Sequence, residues 1–379
     1  MSDNLITNES YRQALALRDL TDAAGGGHAM QMLVEGVIRA LAEAWKCPVI
    51  IHRAPPLVSI QENYEDLDYP PNGPARDRRY TRYVTKTKLL RTHMSALIPG
   101  ALREIARAPY RDVLLVAPGL CYRRDAVDRL HVGEPHQVDL WRISDRLNTL
   151  GTKDLEHMIA QAVQALLPGA TYRTTRTSHP YTEGGLEVEV KTRDEWVELL
   201  ECGLTSPRVL NRCGLDPTLY SGLAMGVGLD RALMLRKGIP DIRLLRSTDP
   251  RVLTQMQDLS PYKTVSSLPP VKRDLSLAVP LGQGEEELGD ILREGLRSAG
   301  IEDWAESLSV IAETALEDLP PAAIGRIGIE PGQKNVLVRL IIRHPTKTLT
   351  DKEANRVRDL AYELLHQGTA YEWTSDKHS

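Results

Sequence analysis

The chain has 379 residues, a formal net charge of −4, 42% hydrophobic and 26% charged residues, and no phenylalanine beside 13 tyrosines and 5 tryptophans. That length suits two domains, the composition suits a globular chain, and the slight negative charge disfavours a non-specific polyanion binder while leaving room for basic patches. The start MSDNLITNES has neither a basic region nor an apolar core, and no apolar run could cross a bilayer, so a cytoplasmic protein that stays off membranes is expected.

In chain order, Gly25-Gly26-Gly27 opens a helix from His28 to Trp45, with Met30, Leu33, Val34, Val37, Ile38 and Leu41 at helical spacing, and Pro48 stops it. Val49–Ile51 and Pro56–Ile60 read as short strands, and Tyr69–Pro74 as a turn. Asp112–Tyr122 and Gln137–Ile143 read as two strands joined by a charged loop, followed by a helix over Thr152–Leu167. Leu186–Val190 alternates strictly and Glu195–Leu200 follows as a second strand. Leu223–Leu235 is a strand running into a helix, with glycines at the junction. Ser260-Pro261 and Leu268-Pro269-Pro270 mark a linker. Beyond it the order is strand, helix, strand, strand, helix, a split β-α-β pattern of ferredoxin-like type. The four cysteines, Cys47, Cys121, Cys202 and Cys213, form no C-x-x-C pair, which favours free buried thiols over a zinc site.

Three blocks carry chemistry. Tyr122-Arg123-Arg124-Asp125, followed by His131 and His136-Gln137, puts an arginine at a strand end. Its rigid fork can hold a phosphate oxygen, although a solvated hairpin looks the same. Leu223-Ala224-Met225-Gly226-Val227-Gly228-Leu229-Asp230-Arg231 sets small residues where a flat base could approach a sheet, and an arginine near a helix start. Such glycines also serve plain helix–strand packing. In Glu195-Trp196-Val197-Glu198 the strand period puts Glu195 and Val197 on one face and Glu198 on the other, where a carboxylate could recruit Mg²⁺ beside a polyphosphate, unless it is simply exposed.

Together these blocks resemble the motifs of class II aminoacyl-tRNA synthetases. Leu90-Arg91-Thr92-His93-Met94-Ser95, His179-Pro180-Tyr181-Thr182-Glu183, Gly238–Arg243 and Pro269–Asp274 sharpen the resemblance to phenylalanyl-tRNA synthetase of the single-chain, organelle-type order. The resemblance implies an α+β chain. Its class II antiparallel sheet core, flanked by helices, would occupy residues 1–258. A linker would follow at 259–270, then a ferredoxin-fold anticodon-binding domain at 271–379. It implies ATP-dependent ligation of phenylalanine to tRNA(Phe) through an adenylate, with ATP and Mg²⁺ required, by a monomer or homodimer. Arg123 matches the arginine bridging the amino acid carboxylate and the α-phosphate, and Arg231 the arginine on the ATP tail. Asp125, His131, Gly226 and Gly228 fall in the ATP-binding blocks, and Glu198 matches a Mg²⁺ ligand. His93, Ser95 and Gln137 match groups that hold the amino acid head, with Asp139 where a glutamate is usual. Ala224 matches a small residue on the floor of the side-chain pocket.

The departures cluster where the family uses phenylalanine. An F-P-F segment that stacks the substrate ring is here His179-Pro180-Tyr181, Tyr64 and Pro135 replace two further phenylalanines, and Glu201 replaces a glycine beside Cys202. Gly73 and Ile98 stand where a histidine and a glutamine are usual. Two readings follow. In one, the enzyme charges phenylalanine, and its own synthesis never consumes that product, which suits a backup or self-resistance copy. In the other, the altered pocket takes a different aromatic or modified amino acid for tRNA or another acceptor. Replacement far beyond the pocket favours the first. A regulator that has lost activity fits poorly with Arg123 and Arg231 in place. Lys334, Arg339, Arg343, Lys347, Arg356 and Arg358, and the run Arg76, Arg78, Arg79, Arg82, Lys86, Lys88 and Arg91, are candidate phosphate-facing patches.

Overall fold

The computed structural model describes residues 5–77, 80–123, 129–193, 195–301, 304–344 and 346–371. They fall into two compact units, Met1–Lys263 and Thr264–Ser379. The first unit opens with α1 (Asn8–Ala16), α2 (Ala29–Trp45), β1 (Val49–Ile51), β2 (Leu57–Ser59), β3 (Lys88–Leu90) and α3 (Ile98–Arg107). It continues through β4 (Asp112–Leu120), β5 (His136–Asp145), α4 (Thr152–Leu166), β6 (Tyr172–Arg176), β7 (Thr182–Lys191) and β8 (Trp196–Thr205). It closes with α5 (Pro207–Arg212), β9 (Tyr220–Gly228), α6 (Leu229–Lys237) and α7 (Pro250–Gln255).

Seven strands form one sheet in the order β1-β4-β5-β9-β8-β7-β6. Only the edge pair β1–β4 is parallel, and the other neighbours run antiparallel. On one face lie α2, α4 and α6, packed on one another and on β4, β5, β8 and β9. The sequence gives α2 its stripe: Met30, Leu33, Val34, Val37 and Leu41 are all buried at three- and four-residue spacing. Each such side chain stabilises the fold by about 1.5–3 kcal/mol through loss of contact with water. The opposite face is covered only in part, by a core of Met94, Leu97, Leu102, Trp141 and Val209 among others. Its remaining rows stay open.

One irregularity in the sheet decides the site. In β7–β8 the register pairs Val188 with Leu200 and Glu189 with Glu198, so Leu199 is an extra residue on β8. Such a bulge resets the alternation of side chains. Leu199 and Leu200 are consecutive and both buried. Glu198 and Glu201, three residues apart, therefore share the open face.

The second unit runs β10 (Val271–Pro280), α8 (Glu285–Ser298), β11 (Ala305–Ala315), α9 (Pro321–Ile327), β12 (Gln333–Ile342) and α10 (Asp351–Leu365). Its sheet has the order β10-β12-β11, with β12 antiparallel to both neighbours. The parallel pair β10 and β11 is thus split by β12. The α10 helix starts on a capping box in which Thr350 and Glu353 exchange bonds. Among the described residues this sheet has three strands, and Gln367 N donates to Ala278 O at 2.8 Å along the other side of β10. The candidate basic residues here are mostly neutralised: Lys334 pairs with Glu313, Arg339 with Asp274, Arg343 with Glu306, Lys347 with Glu353 and Arg358 with Asp359. In the first unit Arg76 pairs with Glu65 and Arg82 with Glu134, while Arg78 and Arg79 lie outside the described residues.

Candidate active site

Three neighbouring strands build a trough on the open face. In register, Asp139 of β5 faces Gly226 of β9, and Gly226 faces Glu201 of β8. One row along, Gln137 faces Gly228. The floor is therefore bare backbone, with Gln137 and Asp139 on one wall and Glu198 and Glu201 on the other. A cavity of about 360 Å³ fills this trough, a size suited to a small molecule. Its lining includes His93, Ser95, Arg123, His131, Gln137, Asp139, His179, Tyr181, Glu198, Gly226, Gly228 and Arg231. The structure thus brings together twelve residues that the sequence singles out from six separate segments.

Two expected residues are not in the lining. Asp125 lies outside the described residues. Ala224 shares the trough face but is fully buried, paired with Trp141 on one side and Gly203 on the other. Tyr181 stacks on Trp141 with ring centroids 5.8 Å apart and closes that row. The cavity floor is Gly226 and Gly228 rather than Ala224. The lining residues to which sequence reasoning gave no role are Tyr69, Leu130, Val132, Pro135, His136, Glu201, Asp230 and Ile242, although Pro135, His136, Glu201 and Asp230 stand among the residues it named. Ile242 carried a signal, since its segment was singled out, and its N–H donates to Arg129 O at 3.0 Å at the edge of the charged loop.

The two arginines are held rather than free. Arg123 Nε donates to Thr92 O at 2.7 Å. Thr92 is locked by the buried Asn63, whose amide donates to Thr92 Oγ1 at 2.8 Å and whose carbonyl accepts from Thr92 N at 3.1 Å. Arg231 Nη1 donates to Glu198 O at 2.9 Å and lies 3.1 Å from Glu198 Oε2. Beside it, Asp230 accepts from His136 N and lies 3.0 Å from His136 Nδ1, and His136 Nε2 accepts from Leu20 N at 3.0 Å. Nδ1 is then the protonated nitrogen. Burial would raise the Asp230 carboxyl, but its contacts with His136 and the nearby Arg246 outweigh it and hold it below its ordinary range. This lock fixes the end of the charged loop against the start of α6.

The head-binding candidates form a buried polar network. The Ser95 hydroxyl lies where it lowers the pKa of both Asp139 and Tyr181, and Trp141 Nε1 donates to Asp139 Oδ2 at 3.1 Å. Burial pushes the Asp139 carboxyl up to about 6 despite these bonds. His93 stacks on Tyr69 at 5.5 Å. Burial and the nearby Arg123 hold its imidazole down to about 3, while the Asn63 main chain pulls weakly the other way. Neither His93 ring nitrogen reaches a protein partner at hydrogen-bonding geometry among the described residues. Cys121 donates to Gln137 Oε1 at 3.2 Å, and burial pushes this thiol up to about 12, which makes it inert.

For a cation, the relevant side chains are Glu198 and its neighbours. The Glu187 carboxyl is raised by burial and by Glu198, Glu201 and Glu189. Among the described residues no group of three or more His, Cys, Asp or Glu could hold a metal alone. Mg²⁺ commonly takes one or two carboxylates and completes its shell with phosphates and water. Glu198, on the cavity lining, fits that mode.

Residues 21–256 match the family described as tRNA synthetases class II core domain (F). The chain belongs to this class II synthetase family. Among curated relatives it is 37% identical over 208 residues to the phenylalanine–tRNA ligase alpha subunit of Prochlorococcus marinus (strain NATL2A), covering 54% of this chain and 59% of that one. It is 36% identical over 205 residues to the protein of that name from Acaryochloris marina (strain MBIC 11017), covering 54% and 60%. The chain therefore spans less than two thirds of the length of these relatives. Among solved structures, pyrrolysyl-tRNA synthetase from Desulfitobacterium hafniense aligns at 16% identity and a TM-score of 0.46, over 63% of this chain and 80% of that one. The class II core occupies the first unit, and the matched residues end before the second unit begins. Among the described residues of this synthetase-family chain, no helix is long and apolar enough to cross a membrane.

Proposed function

We propose that this chain joins an aromatic amino acid to the 3′ end of a tRNA with ATP. Phenylalanine and tRNA(Phe) are the parent pair suggested by the relatives' printed activity. One observation carries the reading: Arg123 and Arg231 line a single trough whose floor is glycine and whose wall holds Ser95, Gln137 and Asp139. In the first step a carboxylate oxygen of the amino acid attacks the α-phosphorus of ATP. An O–P bond forms, the α–β phosphoanhydride bond breaks, and pyrophosphate leaves. No general base is needed. Arg123 would bridge the carboxylate and the α-phosphate and so align attack, and its anchor on Thr92 means little reorganisation is required. Arg231 would hold the tail that departs. Asp139, ionised, would take the ammonium group. Mg²⁺ beside Glu198 would neutralise phosphate charge. A ribose hydroxyl of the tRNA then attacks the carbonyl and AMP leaves.

The test is amino-acid-dependent ATP–pyrophosphate exchange followed by aminoacylation of tRNA. Exchange with an aromatic amino acid and label transfer to tRNA support the reading. Exchange without transfer moves the acceptor elsewhere, and no exchange with any amino acid removes the ligase. The relatives are named alpha subunits, so light scattering of the purified chain should accompany the assay. A monomer or homodimer that is active alone would set this chain apart from a subunit that needs a partner.

A second reading, the backup or self-resistance copy, is carried by the absence of phenylalanine from all 379 positions. Its test is expression during inhibition of the cell's phenylalanine-charging enzyme. Synthesis should outlast that of a phenylalanine-containing control, and an equally steep fall would remove the idea.

A further inference from the structure

Two departures from the family pattern, His179 and Glu201, touch each other. His179 Nε2 lies 3.0 Å from Glu201 Oε2, and both side chains line the cavity. The bond to Glu201 raises the imidazole pKa despite partial burial, so the charged pair is favoured. Glu201 stands across bare Gly226 from Asp139, two strand spacings away, roughly 10 Å between backbones. Tyr181 seals the Ala224 row. A side chain whose amino acid head sits at Asp139 therefore has its open direction over Gly226, toward Glu201.

A plain phenyl ring laid there would strip water from a charged pair and return nothing. A ring bearing an N–H or O–H donor would replace that water with a charge-assisted bond, since a carboxylate only accepts. A carboxylate has two acceptor oxygens, and Glu201 meets His179 through Oε2. Tyr69 and Tyr181, in contact with ring centroids 6.2 Å apart, give the trough an aromatic wall.

We propose that the trough selects an aromatic amino acid whose ring carries a hydrogen-bond donor, a phenol or an aniline, received by Glu201 and braced by His179. This deepens the ligase reading and rests on it for the position of the amino acid head. Sites built to bond a substrate hydroxyl can reject the analogue lacking it by about 10⁴-fold. Glu201 is about a third exposed, so a preference on the order of ten- to a hundredfold is expected.

The experiment compares phenylalanine, tyrosine, meta-tyrosine and 4-aminophenylalanine in ATP–pyrophosphate exchange, and in calorimetric binding without ATP. At least one donor-bearing ring should exceed phenylalanine in kcat/KM, chiefly through KM. Glu201→Gly should collapse that ratio toward one. Should Glu201→Gly fail to fold, the near-isosteric Glu201→Gln should lower the ratio through loss of charge. Phenylalanine as the best substrate of the unaltered chain, or a ratio that survives both variants, overturns the proposal. Absence of exchange with every amino acid sinks the ligase reading instead, and calorimetry then decides the pocket alone: tighter binding of a donor-bearing ring, lost in Glu201→Gln, upholds it, and equal or absent binding overturns it.

Discussion

Arg231 and Glu198 meet twice: through the 3.1 Å ion pair of their side chains and through a 2.9 Å bond from the same Nη1 to the Glu198 main chain. The second bond belongs to the backbone of β8 and survives when the carboxylate turns to another partner. A polyphosphate arriving with Mg²⁺ would thus find the arginine already placed and the carboxylate free to leave it. Arg231→Ala should lower kcat/KM for ATP by on the order of 10²–10³, the usual loss for a preorganised donor. Arg231→Lys should recover little, because a point charge cannot reproduce the fork. Glu198→Gln should raise the Mg²⁺ needed for half-maximal exchange. Its thermal stability should barely change, since an exposed pair of this kind is worth about 0–1 kcal/mol. An unchanged Mg²⁺ requirement would remove Glu198 from the metal site.

Asp139 and His93 pull stability in opposite directions with pH. The Asp139 carboxyl is raised from 3.8 to about 6, so its contribution is full below pH 3.8 and is lost as pH rises through 6. His93 is lowered from 6.5 to about 3, so folding loses stability as pH falls below 6.5 and the unfolded imidazole takes up a proton. Between pH 4 and 6 the two oppose. Asp139→Asn removes one of them. The slope of unfolding free energy against pH in that window should then increase by about 1.4 kcal/mol per unit relative to the unaltered chain, one proton's worth. Denaturant titrations at pH 4, 5 and 6 measure it, and parallel slopes would refute the assignment. If ionised Asp139 holds the ammonium group, kcat/KM for the amino acid also rises through pH 6 and that limb disappears in the variant.

Much of the trough could be read from spacing because its parts are local. Gly226, Gly228 and Arg231 announce a strand entering a helix, and Gln137 and Asp139 share one face by simple alternation. What spacing could not supply is the extra residue in β8. Regular alternation puts Glu198 and Glu201 on opposite faces, and only the pairing of Glu189 with Glu198 and Val188 with Leu200 shows that they share one. Ala224 shares the face of Gly226 and Gly228, and whether its row is open depends on where Tyr181 stacks, which spacing does not show. Tyr69 gave no periodic signal. It lies in a proline-rich turn and reaches the site through contact with His93.

Gly226 tests whether the floor must be bare. A Cβ built there would meet nothing closer than Asp139 Oδ1 at 3.5 Å, an ordinary contact, and the backbone needs no glycine conformation. Gly226→Ala should therefore fold, with stability unchanged or raised by up to about 1 kcal/mol through a stiffer unfolded chain. The added methyl group occupies the space between Asp139 and Glu201. The KM for amino acid or ATP should rise on the order of tenfold, the lower end of what one misplaced methylene does in a fitted site. Normal kinetics in a folded Gly226→Ala would show that ligands do not rest on this floor.

Tyr64 tests how deeply the loss of phenylalanine is built into the core. Its ring is fully buried, and its hydroxyl donates to Ala75 O at 2.7 Å and lies 2.5 Å from Thr81 Oγ1. A tyrosine dropped into a phenylalanine site without such partners would leave a buried hydroxyl unpaired, at a cost of roughly 1–3 kcal/mol. Here the neighbourhood accepts the hydroxyl, so restoring phenylalanine should not help. Thr81 Oγ1 also donates to Ala75 O at 3.0 Å, which leaves that carbonyl with a partner after the change. Tyr64→Phe should accordingly destabilise by only about 1 kcal/mol. Chemical denaturation would read this as a lower midpoint at unchanged slope. A stabilised Tyr64→Phe would mean that the core still fits phenylalanine better, and that the replacement was imposed on it without local adjustment.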